Sequence, residues 1–197
     1  MPLQSALPWP LPERTDLRDA LLTAYSTDRG YHDLVHLSEV LERVAELGEI
    51  DNVEVVLAAW YHDAVYDDAG DNEERSAQLA IADLSSVDDV DADEVARLVR
   101  LTVSHSPTTG DRNGETLCDA DLGILAAPRD RYDEYVAGVR REYSTVSDRD
   151  FAAGRLAILQ RLDAKESLFH SELARAHWEP AARTNLAREM SELARML

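Results

Sequence analysis

The sequence predicts an all-α protein, and three observations carry that. From residue 17 onward apolar residues recur at spacings of three and four, the period of a helix buried on one face. No segment of useful length alternates in the period of a strand. After residue 12 proline occurs only at positions 107, 128 and 180, each between two helical runs.

The elements follow in order. The first dozen residues, MPLQSALPWPLP, hold four prolines and read as an extended lead-in laid on the domain through Leu7, Trp9 and Leu11. Leu17, Ala20, Leu21, Ala24 and Tyr25 form the first apolar stripe. Leu34 to Leu47 carries a second, closed by Gly48. Asp51 is the expected N-cap of VEVVLAAWYHDAVY, which is apolar nearly all round and so is expected to be the central helix. Amphipathic helices are expected over 72–84 and 93–105, then the loop SPTTGDRNGE. A short helix over 119–125, two longer ones over 129–142 and 147–162, and a last one over 180–197 complete the chain. No repeat or linker divides it, so residues 13–197 are expected to form a single helical domain of a size that can bury its own core.

Composition excludes several classes of function. The chain has 197 residues with 39 Asp and Glu against 20 Lys and Arg, a net charge of −19. Such acidity argues against a nucleic-acid polymer or an anionic membrane as partner, because both demand basic surface. No run approaches the roughly 20 apolar residues of a membrane span, and the N-terminus lacks a signal pattern, so a cytoplasmic location is expected. The lone Cys118 excludes an intrachain disulfide framework and reads as a small packing residue.

The chemistry collects around histidine and aspartate. His62 and Asp63 end the most apolar helical run, where burying them without partners costs several kcal/mol, roughly. His36 lies on the inward stripe of the preceding helix, and Asp121 lies in the apolar segment LCDADLGILA. Two imidazoles and two carboxylates suit one divalent cation such as Mn²⁺, Fe²⁺, Ni²⁺, Zn²⁺ or Mg²⁺, and leave it open positions for catalysis. His32 precedes His36 by four residues, so one helical face can present both.

The ordered set H…HD…D resembles the HD-domain superfamily of metal-dependent phosphohydrolases. The segments RGYHDLVHL, AAWYHDAVYDDAGDNEERSAQLA, LTVSH, LCDADLGILA and YDEYVAGVRREY are similar to one subgroup, about 200 residues long, of uncharacterised predicted phosphohydrolases. The resemblance covers roughly residues 25–145. It implies a helical bundle with a metal site between its central helices, and His36, His62, Asp63 and Asp121 as ligands. It favours Asp121 over Asp119, which becomes an N-cap or an acceptor behind the site. His32 is then expected to line the cleft and contact substrate or a metal-bound water. His105 is expected as phosphate contact or proton donor.

Glu73 is the candidate general base and Asp67 its runner-up, both a few residues beyond the HD pair. Asp71 is the expected N-cap of the helix that carries Glu73. Arg29 is the basic residue expected to reach a phosphate, ahead of Arg75 and Arg112. The activity implied is hydrolysis of a small phosphomonoester or nucleotide by a metal-activated water. The alternatives are a metal- or nucleotide-binding regulatory protein without turnover, and a di-iron oxygenase of the same fold. Trp60, Tyr61, Tyr132, Tyr135 and Tyr143 are expected to pack, and His170 and His177 to lie on the surface.

Overall fold

The computed structural model describes residues 7–67 and 70–197, and among these every regular element is helical. The chain divides into two compact units, residues 1–121 and 122–197. No proline- or glycine-rich stretch marks the division in the sequence.

In the first unit, α1 (Thr15–Tyr25), α2 (Leu34–Glu46), α3 (Val53–Tyr61), α4 (Asn72–Leu84) and α5 (Ala92–Leu101) precede α6 (Arg112–Leu122). α3 is the core: Val55 through Tyr61 are all buried, and α2, α4 and α5 pack around it. The residues that pack on it come from the stripes read in the sequence, including Leu17, Leu21, Leu37, Leu41, Ala77, Leu84, Val95 and Val99. The lead-in is seen from residue 7. Trp9 meets Trp60 edge-on at 5.1 Å, and the Trp60 indole donates to the Pro8 carbonyl at 2.8 Å. Residues 1–6 of the expected lead-in lie outside the described residues.

Helix ends are set by local chemistry. Gly48 takes φ +80°, and the Glu49 amide reaches back to the Val44 carbonyl, closing α2 as expected. The cap of α3 is Asn52, not Asp51: its side chain accepts from the Val55 amide and donates to Asn113 Oδ1 at 2.9 Å. An amide can both accept and donate there, which a carboxylate cannot. Asp71 stands at the N-cap of α4 in the left-handed region and makes no side-chain cap bond. α5 stops at Leu101, short of the expected 105. α6 starts at Arg112, well before the expected 119, because Asp111 caps it by accepting from the Gly114 amide at 3.0 Å. Asp119 is therefore inside α6 and not an N-cap.

The second unit opens with a 3₁₀ turn, Gly123–Ala126, followed by α7 (Arg129–Glu142), α8 (Asp148–Asp163), α9 (Glu172–His177) and α10 (Glu179–Ala194). Among the described residues its interior holds two buried polar side chains, Asn185, which donates to the Leu125 and Ala127 carbonyls, and Glu189. Glu189, almost fully buried, accepts from the Tyr132 hydroxyl and from Arg155, and Arg155 also donates to the Tyr135 hydroxyl at 2.6 Å. Tyr132 and Tyr135 are packing residues with one polar end, as expected. Tyr143 is half exposed, contrary to expectation, because it sits at the C-cap of α7. No described helix is long and apolar enough to cross a membrane.

The Asn52 cap gives a direct test. Asn52→Ala removes the acceptor for Val55 and the bond to Asn113, and is expected to lower stability by about 1–2 kcal/mol in urea unfolding. An unchanged midpoint would contradict the capping role.

Candidate metal centre

α3 ends at Tyr61, five residues before the expected end. His62 occupies its C-cap, and Asp63 lies in the turn beyond. His62 keeps helical backbone angles, and its amide still bonds the Ala58 carbonyl. Here His62 Nε2 and Asp63 Oδ2 are 3.1 Å apart.

His36 comes from the first turn of α2, where Asp33 caps the helix by accepting from the Val35 and His36 amides. Its Nε2 lies 3.0 Å from His62 Nε2, 3.3 Å from Asp63 Oδ2 and 3.4 Å from Asp121 Oδ1. Asp121, near the end of α6, is 3.8 Å from His62 Nε2. Both imidazoles are buried, and the two carboxylates nearly so. His36, His62 and Asp121 form a group that could hold a metal ion, with Asp63 beside it.

The donor set fits a divalent cation. Ligands about 2.1 Å from one ion lie about 3.0 Å apart at a right angle and about 3.4 Å apart at the tetrahedral angle. Four of the five spacings around His36 and His62 fall in that range, and the fifth, His62 to Asp121 at 3.8 Å, exceeds it. Tautomers agree as well. His62 Nδ1 is 2.7 Å from the Ala59 carbonyl, which only accepts, so Nδ1 carries the proton and Nε2 of the neutral ring has its lone pair toward the cluster. His36 Nδ1 is buried without a hydrogen-bond partner among the described residues.

The cluster's own charges favour a cation. Burial opposes protonation of His62, but the Asp63 charge and hydrogen bond outweigh it and push the imidazole up to about 9. His36 is also raised, burial again being outweighed by its bonds to Asp121 and Asp63. Burial works against ionising Asp63 and Asp121, yet the facing imidazoles hold both well below the usual carboxylate range.

The other expected site residues divide sharply. His105 joins the cluster from outside: its Nε2 meets Asp121 Oδ2 at 2.8 Å, fixing which oxygen Asp121 turns toward His36. His32 precedes the Asp33 cap and so is not in α2, which corrects the shared helical face. Its ring nevertheless lies 5.6 Å from that of His36 and stacks on Tyr66 at 4.3 Å.

Arg29 does not reach out for a phosphate. Its guanidinium is taken up by four main-chain carbonyls, those of Ala24, His32, Asp63 and Ala64. Asp67 is exposed and held by both terminal nitrogens of Arg75, at 2.6 and 2.8 Å, which withdraws it from base chemistry. Glu73 is half-buried in the first turn of α4, and among the described residues no hydrogen bond or ion pair joins it to the cluster. Arg112 pairs with Glu49 on the surface. Cys118 is buried and forms no disulfide.

Sequence reasoning missed the supports. The Tyr25 hydroxyl accepts from the Asp63 amide at 3.2 Å. Ser76 Oγ accepts from the Val65 amide, while Asn72 bonds both the amide and the carbonyl of Asp67. Asn72 and Ser76 thus hold the backbone that leaves the HD turn. A signal existed, since they stand four apart on one helix face just beyond HD. No protein-family model, curated protein or solved structure matches the chain.

Two outcomes follow. Metal must displace protons from His36 and His62, so Mn²⁺ affinity is expected to rise between about pH 6.5 and about pH 9, with proton release measurable by calorimetry in different buffers. His62 is raised in the folded state, so the metal-free protein gains stability from it below pH 6.5 and loses that gain as pH climbs through about 9. Affinity flat across that window would contradict the arrangement. Secondly, Asp121→Asn is expected to lose metal more severely than Asp119→Asn in elemental analysis, and the reverse order would move the ligand.

Proposed function

We propose that the chain is a metal-dependent phosphohydrolase acting on a small phosphomonoester or nucleotide. One observation carries the reading: each of two buried imidazoles lies 3.0–3.8 Å from the other and from two carboxylates. The resemblance of the H…HD…D series to the HD superfamily supplies the reaction class. Two imidazoles and two carboxylates suit Mn²⁺, Fe²⁺, Ni²⁺ or Zn²⁺, and less readily Mg²⁺, which favours oxygen donors.

When bound, a divalent cation acidifies a coordinated water and withdraws charge from a phosphoryl oxygen. The chain's own groups prepare for that. His36 and His62 present their Nε2 atoms, and the Ala59 carbonyl keeps the His62 proton on Nδ1. Asp63 and Asp121 stay ionised and offset the cation's charge. His105 shares a proton with Asp121 at Nε2, and is the titratable group best placed to pass one near the reacting phosphate. His32, stacked on Tyr66, forms a ring surface beside the cluster on which substrate can rest. The cation also reconciles an anionic substrate with a chain of net charge −19, because local attraction outweighs a screened global field.

Protein loaded with Mn²⁺, Co²⁺, Ni²⁺ or Mg²⁺ is expected to release phosphate from members of a panel of nucleotides and phosphomonoesters. His62→Ala and Asp63→Ala are expected to lose both bound metal and that release. Silence of metal-loaded protein across a broad panel would favour a regulatory binding protein. An iron charge-transfer band with oxygen consumption would overturn the hydrolase in favour of an oxygenase.

A further inference from the structure

We infer that Arg29 is the positioning residue of the metal centre: its guanidinium ties the segment entering α2 to the turn carrying Asp63, and so sets the spacing of the cage. The inference rests on the metal-site reading above.

The geometry is specific. Nε donates to the Ala24 carbonyl at 3.2 Å; one terminal nitrogen donates to His32 at 3.1 Å and to Asp63 at 2.9 Å; the other donates to Ala64 at 3.1 Å. Ala24 lies in the last turn of α1, and Asp63 and Ala64 directly follow the end of α3. The cation therefore sits where the negative ends of two helices meet, and it satisfies carbonyls that the early stop of α3 leaves without helical partners.

It is also clamped between rings, 5.3 Å from the Tyr25 centroid and 5.4 Å from that of Tyr66. Tyr66 in turn stacks on His32. Asp63 is consequently held on both sides of its backbone, its amide by the Tyr25 hydroxyl and its carbonyl by Arg29. The His32 carbonyl on the same guanidinium is one residue before Asp33, whose carboxylate takes the His36 amide. Two ligands, His36 in α2 and Asp63 in the turn after α3, are thus registered through one planar group. Lysine keeps the charge but has no planar fork to bridge four carbonyls.

The test compares wild type with Arg29→Lys, Tyr66→Leu and the surface control Arg112→Gln, using Mn²⁺ calorimetry, Co²⁺ absorption spectra and circular dichroism. Arg29→Lys is expected to keep native helix content, bind Mn²⁺ about 10- to 100-fold more weakly, and shift the Co²⁺ bands. Arg112→Gln should match wild type. Folded Arg29→Lys with wild-type affinity and spectrum would overturn the inference. Should Arg29→Lys fail to fold, Tyr66→Leu decides: it removes a ring from the guanidinium but no carbonyl bond, and severalfold weaker binding is expected, with equal binding overturning the inference. Wild type that binds no Mn²⁺ would instead sink the metal-site reading itself.

Discussion

Two Nε2 atoms 3.0 Å apart, each beside the same pair of carboxylates, impose the constraint around which the first unit is built. Neutral imidazoles can share that gap only if one ring carries a proton on Nε2, and the Ala59 carbonyl already holds the His62 proton on the opposite nitrogen. Two imidazolium rings would repel at that distance, although the carboxylates would welcome their charge. His36, whose Nδ1 has no partner among the described residues, can carry that proton on Nε2, and a cation in the proton's place would face both lone pairs and both carboxylates at once. Buried ionisable groups are costly unless each has a partner, so the same set makes a poor apolar core and a group that could hold a metal ion.

Those donors come together where a helix ends although its hydrophobicity would carry it on. His62 and Asp63 are neighbours in sequence, and both side chains face one point where α3 gives way to a turn. The break strands carbonyls near the core. Arg29, Tyr25, Asn72 and Ser76 compensate by binding backbone around residues 63–67. Much of the polar chemistry in that stretch therefore serves the scaffold.

That division explains what could be read from the sequence. The helical class and the long elements were legible because burial imposes periodicity: Leu34–Glu46, Asn72–Leu84 and Arg129–Glu142 stand where the stripes put them. His36, His62, Asp63 and Asp121 were legible because polar groups in apolar segments need a reason. Asp121 was separable from Asp119 only through the resemblance, since both sit in one apolar stretch. Arg29 and Asp67 were misread for a common reason. A charged residue near a site looks like a reagent until its partner is known, and the partners here were main-chain carbonyls, which the sequence does not display, and Arg75, one of several possible mates. The end of α3 at Tyr61 was hidden because hydrophobicity continues through Val65 and tertiary bonds override it.

His105 shows the opposite relation between local preference and site. Its backbone takes φ +47°, in the left-handed region that the other described non-glycine residues at positive φ, all aspartates, also enter; histidine is enriched there over most side chains but is less at ease than glycine. The conformation costs about 1 kcal/mol for an ordinary side chain, and glycine would relieve it. Glycine would also remove the imidazole that bonds Asp121 at 2.8 Å. A local rule broken at the residue that orients a ligand, with an obvious remedy unused, marks a position where the side chain matters more than backbone ease. The His/Asp cluster thus draws on a left-handed backbone at His105, beside Asp121, and on a guanidinium staple at Asp63, so its spacing is held by groups outside the four that form it.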